Sequence, residues 1–228
     1  MTFKLKNQKE LLKIYGIKQT FSKNPISRLK IKPRVEDKFK LLNLLKEKIK
    51  NVDNCRLKKF AKNLVFSDGD ISSPIMIIGE GPGQKEDEIG KPFVGDAGSL
   101  LNKMLNAINI KRENVYITNV VNYRPPNNRK PETSEIQRYA EFLKEHIVLI
   151  NPKILILMGS TAMEALLGNK DKISNIRGKW FDILINNFSY KTIVTFHPAY
   201  LLRQPEQKKY SWEDLKQIKK KIDNLVLA

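Results

Sequence analysis

Between Gly79 and Leu101 the chain reads GEGPGQKEDEIGKPFVGDAGSLL, with Glu80 inside a cluster of three glycines and Glu86, Asp87 and Glu88 just after it. A glycine-rich loop after an apolar strand is usually a phosphate cradle. This one lacks the lysine of G-x-x-x-x-G-K-[ST], and Pro82 breaks the spacing of G-x-G-x-x-G. Four carboxylates would also repel a pyrophosphate. What the glycines permit is close approach of a flat, neutral group to backbone. Phe93, in GKPFVG, sits between turn residues rather than in an apolar run, which suits either a packing plug or a stacking face. Three more polar groups stand at or just past the ends of apolar runs: Asn119 in NVYITNVV, Asn128 in NYRPPNNRKP and His197 in FHPAYLLR. The other histidine, His146, lies inside an amphipathic stretch and reads as structural.

These segments need a scaffold that brings them together. PIMIIGE, NVYITNVV, KILILM, FDILI and KTIVTF are short apolar runs bounded by turn residues and read as strands. Helical spacing recurs at Phe39, Leu41, Leu42, Leu44, Leu45 and Ile49, and again at Leu100, Leu101, Met104, Leu105 and Ile108. The stretch TSEIQRYAEFLKEHIVLI, the stretch STAMEALLG and a basic run over residues 212–227 are helical too. Alternating strands and helices predict an α/β fold, three layers deep, with a central mainly parallel sheet. In such sheets the ligand lies beyond the strand C-terminal ends, where every chemically capable segment falls.

The charge points to a partner. Lys and Arg number 42 against 24 Asp and Glu, a formal net charge of +18. The first 35 residues hold ten Lys/Arg and one Glu, about half of that excess. They read as a basic N-terminal extension with a short helix near residues 9–15, followed by one domain over residues 36–228. A cationic balance of this size favours a polyanion, since each neutralised phosphate releases counterions. Cys55 is the single cysteine, so no disulfide framework forms within the chain. No apolar run is long enough for a membrane span, and a cytoplasmic monomer is the simplest reading.

Taken together, GEGPGQKEDEIGKPFVGDAGSLL, VYITNVVNYRPPNNRKP, LMGSTAMEALLG and FHPAYLLR resemble the family 4 uracil-DNA glycosylases of bacteria and archaea, in the family's order and over residues 52–212. The resemblance implies hydrolysis of the N-glycosidic bond of uracil extruded from DNA. By it, Phe93 stacks on the base, backbone around Glu80 and Gly81 meets its edge, Asn119 reads the O4 and N3–H groups, and His197 faces O2. It makes Glu80 and Glu86 candidates for positioning water or stabilising an oxocarbenium ion. Glu86 and Asn128 are expected near the sugar and Glu80 in the pocket wall, with Asp87 and Glu88 solvated or capping a helix. Leu201 or Leu202 would fill the gap left by the base, and Arg203, Arg124, Arg129 and Lys130 would hold the DNA backbone.

The chain departs from the family pattern at the four cysteines that ligate an iron–sulfur cluster. Cys55 matches the first, but the other three positions carry Lys58, Tyr123 and Tyr139. One thiolate does not hold a cubane cluster, so none is expected, and aromatic packing fills its place. Two other readings stay open: a DNA-binding module that keeps the fold without activity, and a different Rossmann-like nucleotide-binding protein.

Overall fold

Strands buried on both faces of a sheet read as near-continuous apolar runs, which is what IMIIG at residues 75–79 and ILILM at residues 154–158 provide. The computed structural model describes residues 35–168 and 171–226; residues 1–34, with the expected short helix near 9–15, lie outside the described residues. Among the described residues six strands form one sheet: β1 (Asp68–Gly69), β2 (Ile75–Gly79), β3 (Tyr116–Asn119), β4 (Ile154–Met158), β5 (Trp180–Ile185) and β6 (Phe188–Thr195), in the order β1-β3-β2-β4-β6-β5. The four inner strands are mutually parallel, and every residue of β2, β3 and β4 is buried.

Both edges are antiparallel, where strand–helix alternation alone predicts parallel neighbours. β5 and β6 form a hairpin, with Asn186 and Asn187 both left-handed (φ +48° and +65°), the backbone a tight two-residue turn requires. β1 is too short to register as an apolar run. Gly69 holds it against β3 at φ +96°, where a Cβ would lie 1.9 Å from the Val115 carbonyl oxygen.

The helices among the described residues are α1 (Val35–Lys50), α2 (Arg56–Phe60), α3 (Gln84–Ile89), α4 (Asp96–Asn106), α5 (Thr133–Ile150), α6 (Ser160–Leu167), α7 (Ile173–Ile176), α8 (Pro198–Arg203) and α9 (Lys208–Val226). The period-2 alternation of the strands sorts them into two layers. Met76, Ile78, Leu155 and Leu157 pack with Leu42, Leu45 and Ile49 of α1 and with Leu143 and Ile147 of α5. Ile75, Ile77, Ile154 and Ile156 pack with Leu101 and Leu105 of α4 and with Leu215 and Ile218 of α9. The fold is therefore the expected α/β/α arrangement. Of the apolar positions read as helical on α1, Leu42, Leu45 and Ile49 turn inward, whereas Phe39, Leu41 and Leu44 are exposed. No helix among the described residues is long and apolar enough to cross a membrane.

The connections place the site. From β2 the chain moves to β3 by way of α4, and from β3 it returns past β2 to β4 by way of α5 on the opposite face. Right-handed crossovers in opposite directions require opposite faces. The resulting crevice lies at the C-terminal ends of β2 and β4.

His146 belongs to the core and not to the crevice. Its ring stacks on Phe66 at 4.6 Å between centroids, and its Nε2 lies 2.7 Å from the Tyr116 hydroxyl. Burial pushes its pKa from the ordinary 6.5 down to about 3. The unfolded chain takes up this proton near pH 6.5 and the folded protein does not, so stability is present above that pH and lost as pH falls toward 3. Denaturant unfolding measured from pH 7 to pH 4.5 should lose about 1.4 kcal/mol per pH unit from this group. His146→Gln should show a decline shallower by that one proton; an unchanged slope would refute the assignment.

Candidate active site

The register of β2 and β3 sets Gly79 opposite Asn119 at the strand ends. Pairing continues past them: Val120 N–H donates to Gly79 O (3.0 Å) and Val121 N–H to Glu80 O (3.2 Å). A Cβ on Gly79 would stand 2.5 Å from Asn119 Oδ1 and 2.5 Å from Phe93 Cζ. The amide and the ring thus converge on the space a side chain would fill. The Phe93 ring lies 5.4 Å, centroid to centroid, from that of His197 and is tilted by 30°. The end of β3 and the loops after β2 and β6 therefore bring Asn119, Phe93 and His197 together around a cavity of about 430 Å³, which Glu80, Gly81 and Ser160 also line.

The polar groups in this cavity are poised rather than satisfied. Asn119 is buried and its Oδ1 finds no hydrogen-bond partner among the described residues, an arrangement that costs stability unless something else supplies a donor. Burial, with a smaller contribution from Arg203, pushes the His197 pKa from 6.5 down to about 4, so the ring is neutral near pH 7. Its Nδ1 accepts from Ala199 N–H (3.1 Å), which leaves the proton on Nε2 and makes that nitrogen a donor. Gly159, left-handed at φ +95°, ends β4 against this ring: a Cβ there would stand 3.1 Å from His197 Cβ. The Thr161 hydroxyl, two residues into α6, donates to Glu80 Oε2 at 2.5 Å. Thr161 was not among the expected residues, although a hydroxyl just past the Gly159 strand end is a signal that could have found it.

The other carboxylates have different work. Glu86 Oε1 accepts from Val94 N–H (2.9 Å) and Gly95 N–H (2.8 Å), and Oε2 from Gly83 N–H (3.1 Å). Three of about four acceptor directions are thus occupied by backbone. Glu86 lines the cavity, but its first task is to tie the glycine loop to the loop carrying Phe93. Asp87 is not solvated as expected: it is 2% exposed, and its Oδ1 accepts from Lys62 N–H (2.9 Å) and Asn63 N–H (3.0 Å). Glu88 is exposed. Asn128 is left-handed at φ +54° and exposed at the cavity mouth, where its Oδ1 accepts from Arg124 Nε (2.7 Å).

Of the residues expected to meet nucleic acid, Leu202 is 44% exposed but Leu201 only 1%. Leu201 faces the core layer of α4 and α9 and has no surface to insert, which corrects that expectation. Arg203 is exposed beside the cavity. Arg129 forks onto Glu135 at 2.7 and 2.8 Å, so much of its charge is spent inside the protein. Lys130 lies 3.8 Å from Glu164, half exposed.

The positions that match the cluster cysteines do not form a ligand set. Cys55 Sγ lies 3.2 Å from the Tyr139 hydroxyl, and Cys55, Tyr123 and Tyr139 are all buried in the core layer of α1 and α5. The Lys58 ammonium donates to the Lys50 carbonyl. One thiol, two phenols and an ammonium do not supply the thiolates that an iron–sulfur cluster needs. Among the described residues no group of three or more His, Cys, Asp and Glu is placed to hold a metal ion.

The pattern described as the Uracil DNA glycosylase superfamily matches residues 66–216. The chain is 40% identical over 168 residues to a Type-4 uracil-DNA glycosylase of Pyrobaculum aerophilum, covering 72% of this chain and 86% of that protein. It is 40% identical over 182 residues to one of Thermotoga maritima (78% and 93%) and 39% identical over 190 residues to one of Saccharolobus solfataricus (80% and 87%).

Because Glu86 satisfies three backbone donors, truncating it leaves them unpaired. Glu86→Ala should lower unfolding free energy by about 3 kcal/mol in urea titrations while keeping the far-ultraviolet circular dichroism of the native fold. A change below about 0.5 kcal/mol would show that the carboxylate does not brace the loops.

Proposed function

The chain belongs to the uracil DNA glycosylase superfamily, and from that premise we propose that it hydrolyses the N-glycosidic bond of uracil in DNA, single- or double-stranded, leaving an abasic site for base excision repair. The observation that carries this reading is the buried Asn119 Oδ1, unpartnered among the described residues, in the cavity that the Phe93 ring and His197, a donor through Nε2–H, also line.

Uracil inside a duplex is out of reach, so the nucleotide must leave the stack. In the pocket, Asn119 accepts from N3–H and donates to O4, a pairing that cytosine cannot offer at that edge. Phe93 lies under the ring, and backbone at Glu80 and Gly81 borders it. As the C1′–N1 bond breaks, the electron pair goes to the base and positive charge develops at the sugar. His197, neutral and donating from Nε2, meets O2 with a hydrogen bond that strengthens as the base becomes anionic. Glu80, held by Thr161, supplies negative charge to the oxocarbenium ion. Glu86, with one acceptor direction left, and Asn128 at the mouth guide water to C1′. Leu202 fills the vacated stack, while Arg203, Arg124 and Lys130 engage phosphate. The net charge of +18 supports a polyanionic substrate, and a cytoplasmic monomer is part of the same reading.

The protein also works, in this reading, without an iron–sulfur cluster, because the donor set at Cys55, Lys58, Tyr123 and Tyr139 does not fit one. The contact between the Cys55 sulfur and the Tyr139 hydroxyl joins the start of α2 to α5 there instead.

Purified protein incubated with single- and double-stranded oligonucleotides carrying one uracil, then treated with alkali, should give a strand break at the uracil. Asn119→Asp should lower excision by about 10³-fold, since a second carboxylate oxygen cannot donate to O4. No break in either substrate would refute the activity, and binding without cleavage would identify a non-catalytic DNA-binding protein. Iron in anaerobically purified protein should stay far below one cluster per chain; a stoichiometric brown absorbing species would overturn the cluster-free reading.

A further inference from the structure

Phe93 occupies its place against local preference. Its backbone is left-handed at φ +52°, a region that crowds any residue with a Cβ. Its loop presses on α4 so closely that a Cβ at Gly98 would stand 1.9 Å from the Phe93 carbonyl oxygen. A conformation of this kind persists only where the surroundings over-determine it.

Besides Glu86, which holds the N–H groups of residues 94 and 95, one side chain grips the carbonyls of this turn directly. Arg112, in a short turn before β3, donates from Nη1 to Phe93 O (3.0 Å) and to Asn102 Oδ1 (3.2 Å), and from Nη2 to Pro92 O (2.7 Å). Its Nε donates to Asp68 Oδ2 (3.0 Å), with Nη2 2.9 Å from the same oxygen. Asp68 is itself paired into the sheet opposite Ile117, and its other oxygen lies 3.4 Å from Lys91 Nζ. The guanidinium therefore bridges a fixed point on the sheet edge, the first helix after the loop and two consecutive carbonyls of the loop. A planar fork is needed for that; an ammonium is a point charge and makes only part of the set.

We propose that Arg112 is a positioning residue that sets the pose of the Phe93 ring, and with it how tightly the pocket holds an extruded base. The inference rests on the reading of Phe93 as a stacking face. Arg112 touches no substrate atom; it acts through the backbone of residues 92 and 93, and Asp68 orients it.

A double-mutant cycle with Phe93→Ala, Arg112→Lys and the combined variant tests this, using inhibition by free uracil and affinity for abasic-site DNA. Phe93→Ala should weaken uracil inhibition by about tenfold. Arg112→Lys should cause a large part of the same loss in the native background and less than about a twofold further loss in the Phe93→Ala background. Abasic-DNA affinity, governed by the basic rim, should be the same in all four proteins. Losses that multiply in the combined variant, or an Arg112→Lys protein that binds uracil as the native one does, would overturn the proposal. If Phe93→Ala itself leaves uracil inhibition unchanged, the stacking reading fails first and this inference with it. Asp68→Asn, which keeps the guanidinium but removes its anchor, is measured in parallel so that poor folding of one variant leaves a second test. It should show the same non-additivity, and additivity there would equally count against the proposal.

Discussion

The pocket depends on a single packing constraint at the top of two parallel strands. Gly79 and Asn119 are register partners, and the backbone bonds that follow them lock the glycine loop to the segment after β3. Because Gly79 has no side chain, the Asn119 amide and the Phe93 ring meet where a Cβ would be. An alanine there would have to push aside the amide, the ring or both, so the recognition surface exists only around an absence. The other members of the site are arranged about that point: His197 beyond Phe93, and Glu80 turned toward Thr161.

Charge in the glycine loop, which looks contradictory in a basic protein, resolves into separate tasks. Glu86 and Asp87 satisfy backbone N–H groups that would otherwise be buried without partners, and so serve the loop itself. Glu80, which lines the cavity as Glu86 does, accepts instead from the Thr161 hydroxyl. Some of the cations are likewise internal. Arg129 is committed to Glu135, and Arg177 ion-pairs with the fully buried Asp214, which also accepts from the Thr195 hydroxyl. Formal charge thus overstates what the rim can offer a phosphate backbone. Buried ion pairs of this kind are costly to break but are weak evidence of net stabilisation.

At the seam between α2 and α5 the side chains meet by packing. Tyr139 fills the space with a ring and points its hydroxyl at the Cys55 sulfur; Tyr123 joins the same core layer. Such a seam derives its strength from apolar burial spread over several residues. The active-site residues lie at the strand ends and do not take part in it.

Much of this was legible in the chain. The inner strands, the principal helices and the α/β class follow from apolar runs and periodicity, because burial on two faces leaves little freedom in residue type. Asn119, Phe93 and His197 could be picked out by their places at or between the ends of elements, but the roles proposed for them came from the family resemblance and not from periodicity. Leu201 and Leu202 could not be told apart, since a short helix buries one neighbour and exposes the next. The antiparallel edges, the brace made by Glu86, the burial of Asp87 and the Arg112 bridge were also hidden. Each depends on contacts between residues separated in sequence by a loop or more, where no period relates them. What the sequence determined by itself was which side chains must be buried and which segments end in turns, because those are properties of one residue and its near neighbours. Which carboxylate braces backbone and which accepts from a hydroxyl was decided only by the tertiary structure, because a hydrogen bond is fixed by distance and direction in space, and chain order carries neither.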